Sequence, residues 1–312
     1  MYANKRSWSF TGALGVLGAG FLFIRIAAPV LGPIPLMAMR VLLAGLCLLV
    51  CALVTRTRLE WRSYWRHYLV IGIINAALPF TLIGIAELSL PSGLAALLNA
   101  TTPLFGVLTA VLWMKETMTL KKIVGLLLGF LGVSILVGWS SIPFSLELLF
   151  SVGASLAAAA SYGIASVYIK VTLGNKVSSL ATSTCSQFFA ALFLVPLALV
   201  VSPIHIPAPS VLLAVAALAL LCTAVTLLLY IWLIAHAGPT KTLMVTFLAP
   251  IFGIFWGMLF LKEAFTLSSF IGLVIILVGA GLVTDLLFRR NPRRINQQLS
   301  DQKQKSLEGI PN

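Results

Sequence analysis

Charge is what this chain is shortest of. Only 9% of its 312 residues are Asp, Glu, Lys or Arg, and just eight residues are acidic. A soluble domain carries about a quarter charged residues, so that class is excluded. Histidine is scarce as well: His67, His205 and His236 are expected in separate loops, and no HExxH or comparable ligand spacing occurs. No metal site and no cofactor are implied. The four cysteines, Cys47, Cys51, Cys185 and Cys222, all fall inside apolar runs, which argues against a disulfide framework. Cys47 and Cys51 are four apart on one helix face and read as packing. A GxxxxGK[ST] loop is also missing, so ATP is not the energy source. Together these gaps argue against an enzyme.

What the chain has instead is apolar length: 60% of its residues are hydrophobic. A membrane-spanning helix needs about 20 mostly apolar residues. The sequence breaks into ten such runs, at 8–29, 34–54, 68–88, 92–113, 120–138, 147–169, 179–201, 210–234, 240–260 and 265–287. The runs are continuous, whereas β-barrel strands would alternate in segments of about ten residues. An all-α polytopic membrane protein with ten transmembrane helices is the expected fold. The connections are too short for an extramembrane domain, and only the tail from 289 to 312 is long and polar enough to be disordered. The first run is of span length and leads straight into further helices, so it reads as a span rather than a cleaved leader.

Basic residues set the orientation, because Lys and Arg are retained on the cytoplasmic side. With the N-terminus inside, 18 of the 21 basic residues fall in cytoplasmic segments. Lys262 alone is left for the outer connections, and Arg25 and Arg40 lie within spans. The net charge of +13 is then a topology signal, and nucleic acid is not an expected partner. The RRNPRR segment of the tail is placed to touch anionic lipid. The expected location is the bacterial inner membrane, multi-pass, with both termini cytoplasmic.

The sequence also repeats itself. PSGLAALLNATTPLFGVLTAVLWMKETMTLKKIVGLLLGFLGVSIL from Pro91 is echoed by PTKTLMVTFLAPIFGIFWGMLFLKEAFTLSSFIGLVIILVGAGLV from Pro239. With one gap, Pro103, Gly106, Lys115, Glu116, Thr119, Leu120, Gly125 and Gly132 meet Pro250, Gly253, Lys262, Glu263, Thr266, Leu267, Gly272 and Gly279. The expected halves are 1–143 and 144–288, with helices 1–5 and 6–10. An odd number of spans per half turns the second copy upside down, which is the usual build of secondary transporters.

These residues resemble the EamA family of the drug/metabolite transporter superfamily. The likeness rests on Pro103, Gly106, Glu116, Gly125 and Gly132, on their mates Pro250, Gly253, Glu263, Gly272 and Gly279, and on Arg40 in the second span. It covers residues 8 to 287. The family's Trp-Gly pair early in the first helix is replaced here by GVLGAG, which keeps only the glycines. The resemblance implies a ten-helix carrier of small metabolites, commonly an exporter of amino acids or related compounds.

Polar groups inside the spans are the candidate machinery, since hydrocarbon offers them no partner. Arg25, Arg40 and Glu87 are expected toward the outer side, where they would form one ion-paired cluster. Arg40 is the preferred substrate ligand, because a planar, permanently charged guanidinium suits a carboxylate. Asn75, Asn99, Thr101, Thr102, Tyr162 and Gln187 form a second layer of candidates, each competing with a plain interhelical hydrogen bond. Pro79, Pro103 and Pro250 fall near mid-membrane and are expected to act as kinks or hinges. Arg25, Glu87, Glu116 and Glu263 complete the gate candidates.

Two function classes compete. One is a small-metabolite exporter, with a carboxylate-bearing solute favoured over a cationic drug. The other is a non-transporting scaffold built on the same fold. A small-molecule substrate and the lipid bilayer are the expected partners, and no feature decides whether the chain forms a homodimer.

Overall fold

Proline and glycine punctuate the apolar runs, and helices begin and end at that punctuation. The computed structural model describes residues 18–138, 145–173, 176–201, 207–226, 239–264 and 266–284, with backbone alone described from 239 to 249. Among the described residues there is no strand. The helices, in chain order, are α1 Gly18–Leu31, α2 Pro33–Val54, α3 Trp61–Ser89, α4 Ser92–Met114, α5 Leu120–Gly138, α6 Leu146–Thr172, α7 Ser179–Val201, α8 Pro209–Val225, α9 Pro239–Leu261 and α10 Leu267–Val283. Six of them, α2 to α7, are long and apolar enough to cross a membrane, and the described parts of the others are shorter apolar helices.

Local chemistry explains the boundaries. Pro33 and Pro209 open α2 and α8, where the missing N–H is not needed. Ser145 and Thr266 cap α6 and α10 by accepting hydrogen bonds from the Leu148 and Ser269 amides, at 3.1 and 3.3 Å. Lys115 and Lys262, repeat mates, both adopt a left-handed backbone (φ 54° and 55°) just after α4 and α9, and each stops its helix there.

One span, α3, differs clearly from expectation at its start. α3 begins at Trp61 rather than 68, because WRSYWRH forms about two amphipathic turns that continue the helix. Its Trp61 and Trp65 are exposed, while Tyr68 and Ile71 pack into a cluster with Leu173 and Cys185. The polar residues of this stretch hide it from a reading based on apolar runs. His67, expected in a loop, therefore sits in α3, with Nδ1 2.9 Å from the Tyr168 hydroxyl. His205, His236, the first 17 residues and the tail from 289 lie outside the described residues.

Two helices carry a widened π-turn. In α3 it spans Ile73–Ala77, and in α8 Leu220–Val225. In α3 the cause is adjacent: Pro79 has no N–H to give the Asn75 carbonyl, so the regular ladder cannot pass through. α4 is interrupted at Ala100–Thr101, just ahead of Pro103.

Packing pairs the helices across the chain: α2 on α7, α5 on α10, the first half of α4 on α9, and the second half of α3 on α6. α3 also packs on α7, and α8 on α2. One core cluster gathers Phe21, Met37, Val41, Phe80, Ala158, Ala190 and Leu218 from six helices. A second joins Leu90, Leu97, Leu136, Val152, Ile254 and Ile276. Large apolar side chains such as Leu112, Leu127, Leu199, Val200, Leu213 and Phe260 face outward, as they do where lipid chains are the solvent.

Candidate substrate site and gates

Arg40 is placed by α2 about 10 Å in from the Pro33 end, counting 1.5 Å per residue. Its guanidinium is buried, yet no carboxylate lies within 4.0 Å of it among the described residues. Nε donates to Thr223 Oγ1 at 2.9 Å, Nη1 makes a long contact of 3.9 Å with Met37 Sδ, and the planar group lies 3.7 Å over the Phe80 ring. Phe80 in turn meets the Tyr162 ring edge-on, with centroids 6.3 Å apart. The guanidinium is thus held at one edge and one face, while among the described residues most of its N–H fork remains uncommitted.

The α8 π-turn explains why Thr223 is the holder. Its hydroxyl donates to the Leu218 carbonyl at 3.0 Å, five residues back, and so presents its lone pair to Arg40. The α3 π-turn does comparable work, with Ser161 of α6 donating to the Ile74 carbonyl at 2.6 Å. Sequence reasoning missed Thr223. A hydroxyl within the apolar run LALLCTAVTLLL, 148 positions after Asn75, was the available signal.

The other candidates separate. Thr101 and Thr102 give their hydroxyl protons to the Leu98 and Asn99 carbonyls, at 2.6 and 2.7 Å. Asn99 is the residue whose carbonyl Pro103 cannot serve, so Thr102 repairs the proline break. Asn99 Oδ1 and Gln187 Oε1 are buried without a hydrogen-bond partner among the described residues. Gln187, on α7, packs against Gly45 of α2. Asn75 lies within the α3 π-turn, half-buried.

The expected ion-paired cluster of Arg25, Arg40 and Glu87 does not form. Arg25 Nη1 donates to the backbone carbonyls of Glu87 and Leu88, the latter at 2.9 Å. It is drawn there because α3 ends at Ser89 and leaves those carbonyls without helical partners. Glu87 itself is 0% exposed, and both carboxyl oxygens lack a hydrogen-bond partner among the described residues.

Of the gate candidates, Glu263 makes the most hydrogen bonds. Its carboxylate accepts from the Ser92 amide at 2.7 Å, the Ser92 hydroxyl at 3.0 Å and the Gly93 amide at 3.1 Å, capping the N-terminus of α4 from the far end of α9. Unpaired amides and the helix dipole both favour an anion there. Gly257 leaves room for it, since a Cβ there would stand 2.5 Å from Glu263 Oε2. Glu116, the repeat mate, is instead paired with Lys122 at 3.2 Å. Pro250 lies within α9 without interrupting it.

The family model for the EamA-like transporter family matches residues 6–138 and 149–285. The chain belongs to that family. This EamA-like chain is 29% identical over 255 residues to the uncharacterized transporter YvbV of Bacillus subtilis (strain 168), covering 80% of this chain and 82% of that one. It is 22% identical over 282 residues to the uncharacterized transporter YoaV of the same organism, covering 88% and 95%. Protein PecM of Dickeya dadantii (strain 3937) is 24% identical over 236 residues, covering 73% and 77%. A solved crystal structure shares the fold with a TM-score of 0.65 at 19% identity, covering 91% of this chain and 97% of that chain. As an EamA-like chain with several apolar helices, the protein is a multi-pass membrane protein of a small-molecule transporter family.

Proposed function

We propose that this protein exports a small carboxylate-bearing metabolite, of the amino-acid class, across the bacterial inner membrane by alternating access between two inverted five-helix halves. The observation that carries the substrate class is Arg40. A guanidinium kept buried without a carboxylate partner is costly unless it serves a ligand. Its free N–H fork matches a carboxylate in two parallel hydrogen bonds. A cationic drug would meet repulsion at the same place.

Support for two inverted halves comes from how the helices pair. Moving every helix label five ahead leaves α2·α7 and α5·α10 unchanged and turns α3·α7 into α8·α2, contacts that are all present. The π-turns also correspond, with Ile73 and Leu220 separated by 147 residues, the spacing of Pro103 and Pro250. The family model likewise matches two stretches of similar length. Both termini are read as cytoplasmic from the distribution of Lys and Arg.

Counterflow in proteoliposomes tests the reading. Vesicles are loaded in turn with unlabelled amino acids, nucleosides or cationic drugs, and uptake of the matching tracer is followed. Amino-acid counterflow that Arg40→Ala abolishes in folded protein is the expected result. Counterflow with a cationic drug alone would replace the substrate class, and silence across the panel would favour a non-transporting scaffold.

A further inference from the structure

The α3 end holds a carboxyl group that the carrier reading leaves without a task. Glu87 is wholly buried, and its chain neighbours Ala86 and Leu90 belong to the apolar cluster that also holds Leu94, Leu98 and Ile254. Among the described residues no basic group forms an ion pair with its carboxyl. Arg25 of α1 spends its guanidinium on the Glu87 and Leu88 backbone carbonyls. Arg40 of α2, placed by Thr223 and Phe80, comes within 4.0 Å of no described carboxylate, Glu87 included. Glu147 of α6 accepts from the Ser89 hydroxyl. Glu263 caps α4 and brings a second negative charge toward the same region.

An ionised carboxylate sealed in apolar surroundings without a donor is far costlier than the neutral acid. The closed arrangement at the Glu263 end of the molecule is therefore compatible with Glu87–COOH and not with Glu87–COO⁻. Separation of α9 from α4 would break the Glu263 contacts and admit water, and in water the carboxyl is free to ionise.

We propose that Glu87 is a proton-binding site, and that closing the Glu263 gate takes up one proton from the aqueous phase that this gate faces. One O–H bond forms on the carboxyl as the gate shuts, and it breaks when the gate opens and Glu87 is wetted again. Since the closed state binds the extra proton, lower pH favours closure and higher pH favours opening. The proposal rests on the alternating-access reading, because it needs a gate that opens. It does not depend on which solute is carried.

The test is a thiol-labelling rate in the full chain, with the four native cysteines replaced and Gly93→Cys introduced as reporter. Gly93 is buried under the gate, and a Cβ there meets Ile254 and Glu263 at 3.4 and 3.6 Å, ordinary contact distances. Maleimide labelling of folded protein in liposomes is measured from pH 5 to 9 with Glu87 or with Glu87→Gln. The ratio of the two rates removes the thiol's own titration. The ratio is expected to rise with pH by up to tenfold per unit, since one proton is linked to opening, with Glu87→Gln slow throughout. Glu87→Asp is expected to retain the pH response. If Glu87→Gln does not fold, Glu87→Ala serves, with loss of the response again expected. A ratio that does not change with pH overturns the proton site and leaves alternating access standing. A reporter never labelled at any pH, with or without amino acids, overturns both.

Discussion

Gly125 and Gly279 meet backbone to backbone where α5 crosses α10: a Cβ on either would stand 2.6 Å from the carbonyl oxygen of the other. Their repeat mates Gly272 and Gly132 do the same on the other side of the crossing, each placing a virtual Cβ 3.1 Å from the partner's carbonyl oxygen. Close approach of this kind lets dispersion act between helices in lipid, where no hydrophobic effect draws them together. The close crossing of α5 and α10 is made of glycines for that reason.

Gly279→Val is therefore expected to force α5 and α10 apart and to cost about 1–3 kcal/mol, the usual penalty of overpacking. Gly153→Ala is the contrasting substitution. Among the described residues, nothing beyond the local helix backbone lies within 4 Å of a Cβ at Gly153, about two turns into α6. It should leave stability unchanged or raise it by up to about 1 kcal/mol through helix propensity. Thermal unfolding midpoints of the two variants in one detergent check both statements. Similar midpoints would remove the crossing from the stability argument.

Most of the helix pattern was legible in the sequence because lipid demands continuous apolar runs, and their ends coincide with Pro33, Pro91, Pro209 and Pro239. The amphipathic start of α3 was not, because Trp61 to His67 alternate charge with aromatic rings and read as a loop. Arg40 was legible as an outlier in hydrocarbon, but its holder was not. Thr223 is 183 residues away and aligned only by a π-turn, which leaves no compositional mark. The Arg25–Glu87 pairing was read from opposite charge alone. A helix C-terminus offers carbonyls as well as side chains, and here the carbonyls took the arginine.

Arg40 should tolerate even a like-charged replacement poorly. A lysine ammonium keeps the charge but lacks the flat fork and cannot be held at one edge by Thr223 while it binds a carboxylate with the other. Arg40→Lys is expected to lower amino-acid counterflow at least tenfold. Thr223→Val frees Nε without touching the charge, and a smaller loss is expected, about 0.5–1.5 kcal/mol or roughly two- to thirteenfold in apparent affinity. Equal counterflow by Arg40→Lys and the parent would exclude bidentate binding there.

Glu263 is expected to act on gate position rather than on solute binding. Replacing it with Gln removes the charge from three hydrogen bonds at the α4 N-terminus. Charge-assisted bonds are worth about 1.5–3 kcal/mol each, and part of that survives in the amide. The open fraction at this gate should rise tenfold or more, read as faster labelling of Gly93→Cys, while apparent substrate affinity changes little. Unchanged labelling would make the contact an ornament of the closed form.

Pro103 separates two explanations of the α4 break. It sits at the start of the second half of α4, where a proline is well tolerated, and Thr102 already satisfies the Asn99 carbonyl that it abandons. Restoring the N–H with Pro103→Ala should thus change stability by less than about 1 kcal/mol, well below the roughly 3 kcal/mol of a proline in an uninterrupted helix. If the break is only a static bend, counterflow should be equally unaffected. A hinge behaves differently, because the new N–H competes with Thr102 for the Asn99 carbonyl and stiffens the joint between Ala100 and Thr101. The first half of α4 carries the Glu263 contacts and packs on α9, while the second half packs on α6, so a stiff joint couples the gate to the body of the molecule. Slower counterflow with unchanged substrate affinity and an unchanged unfolding midpoint is the expected outcome for Pro103→Ala.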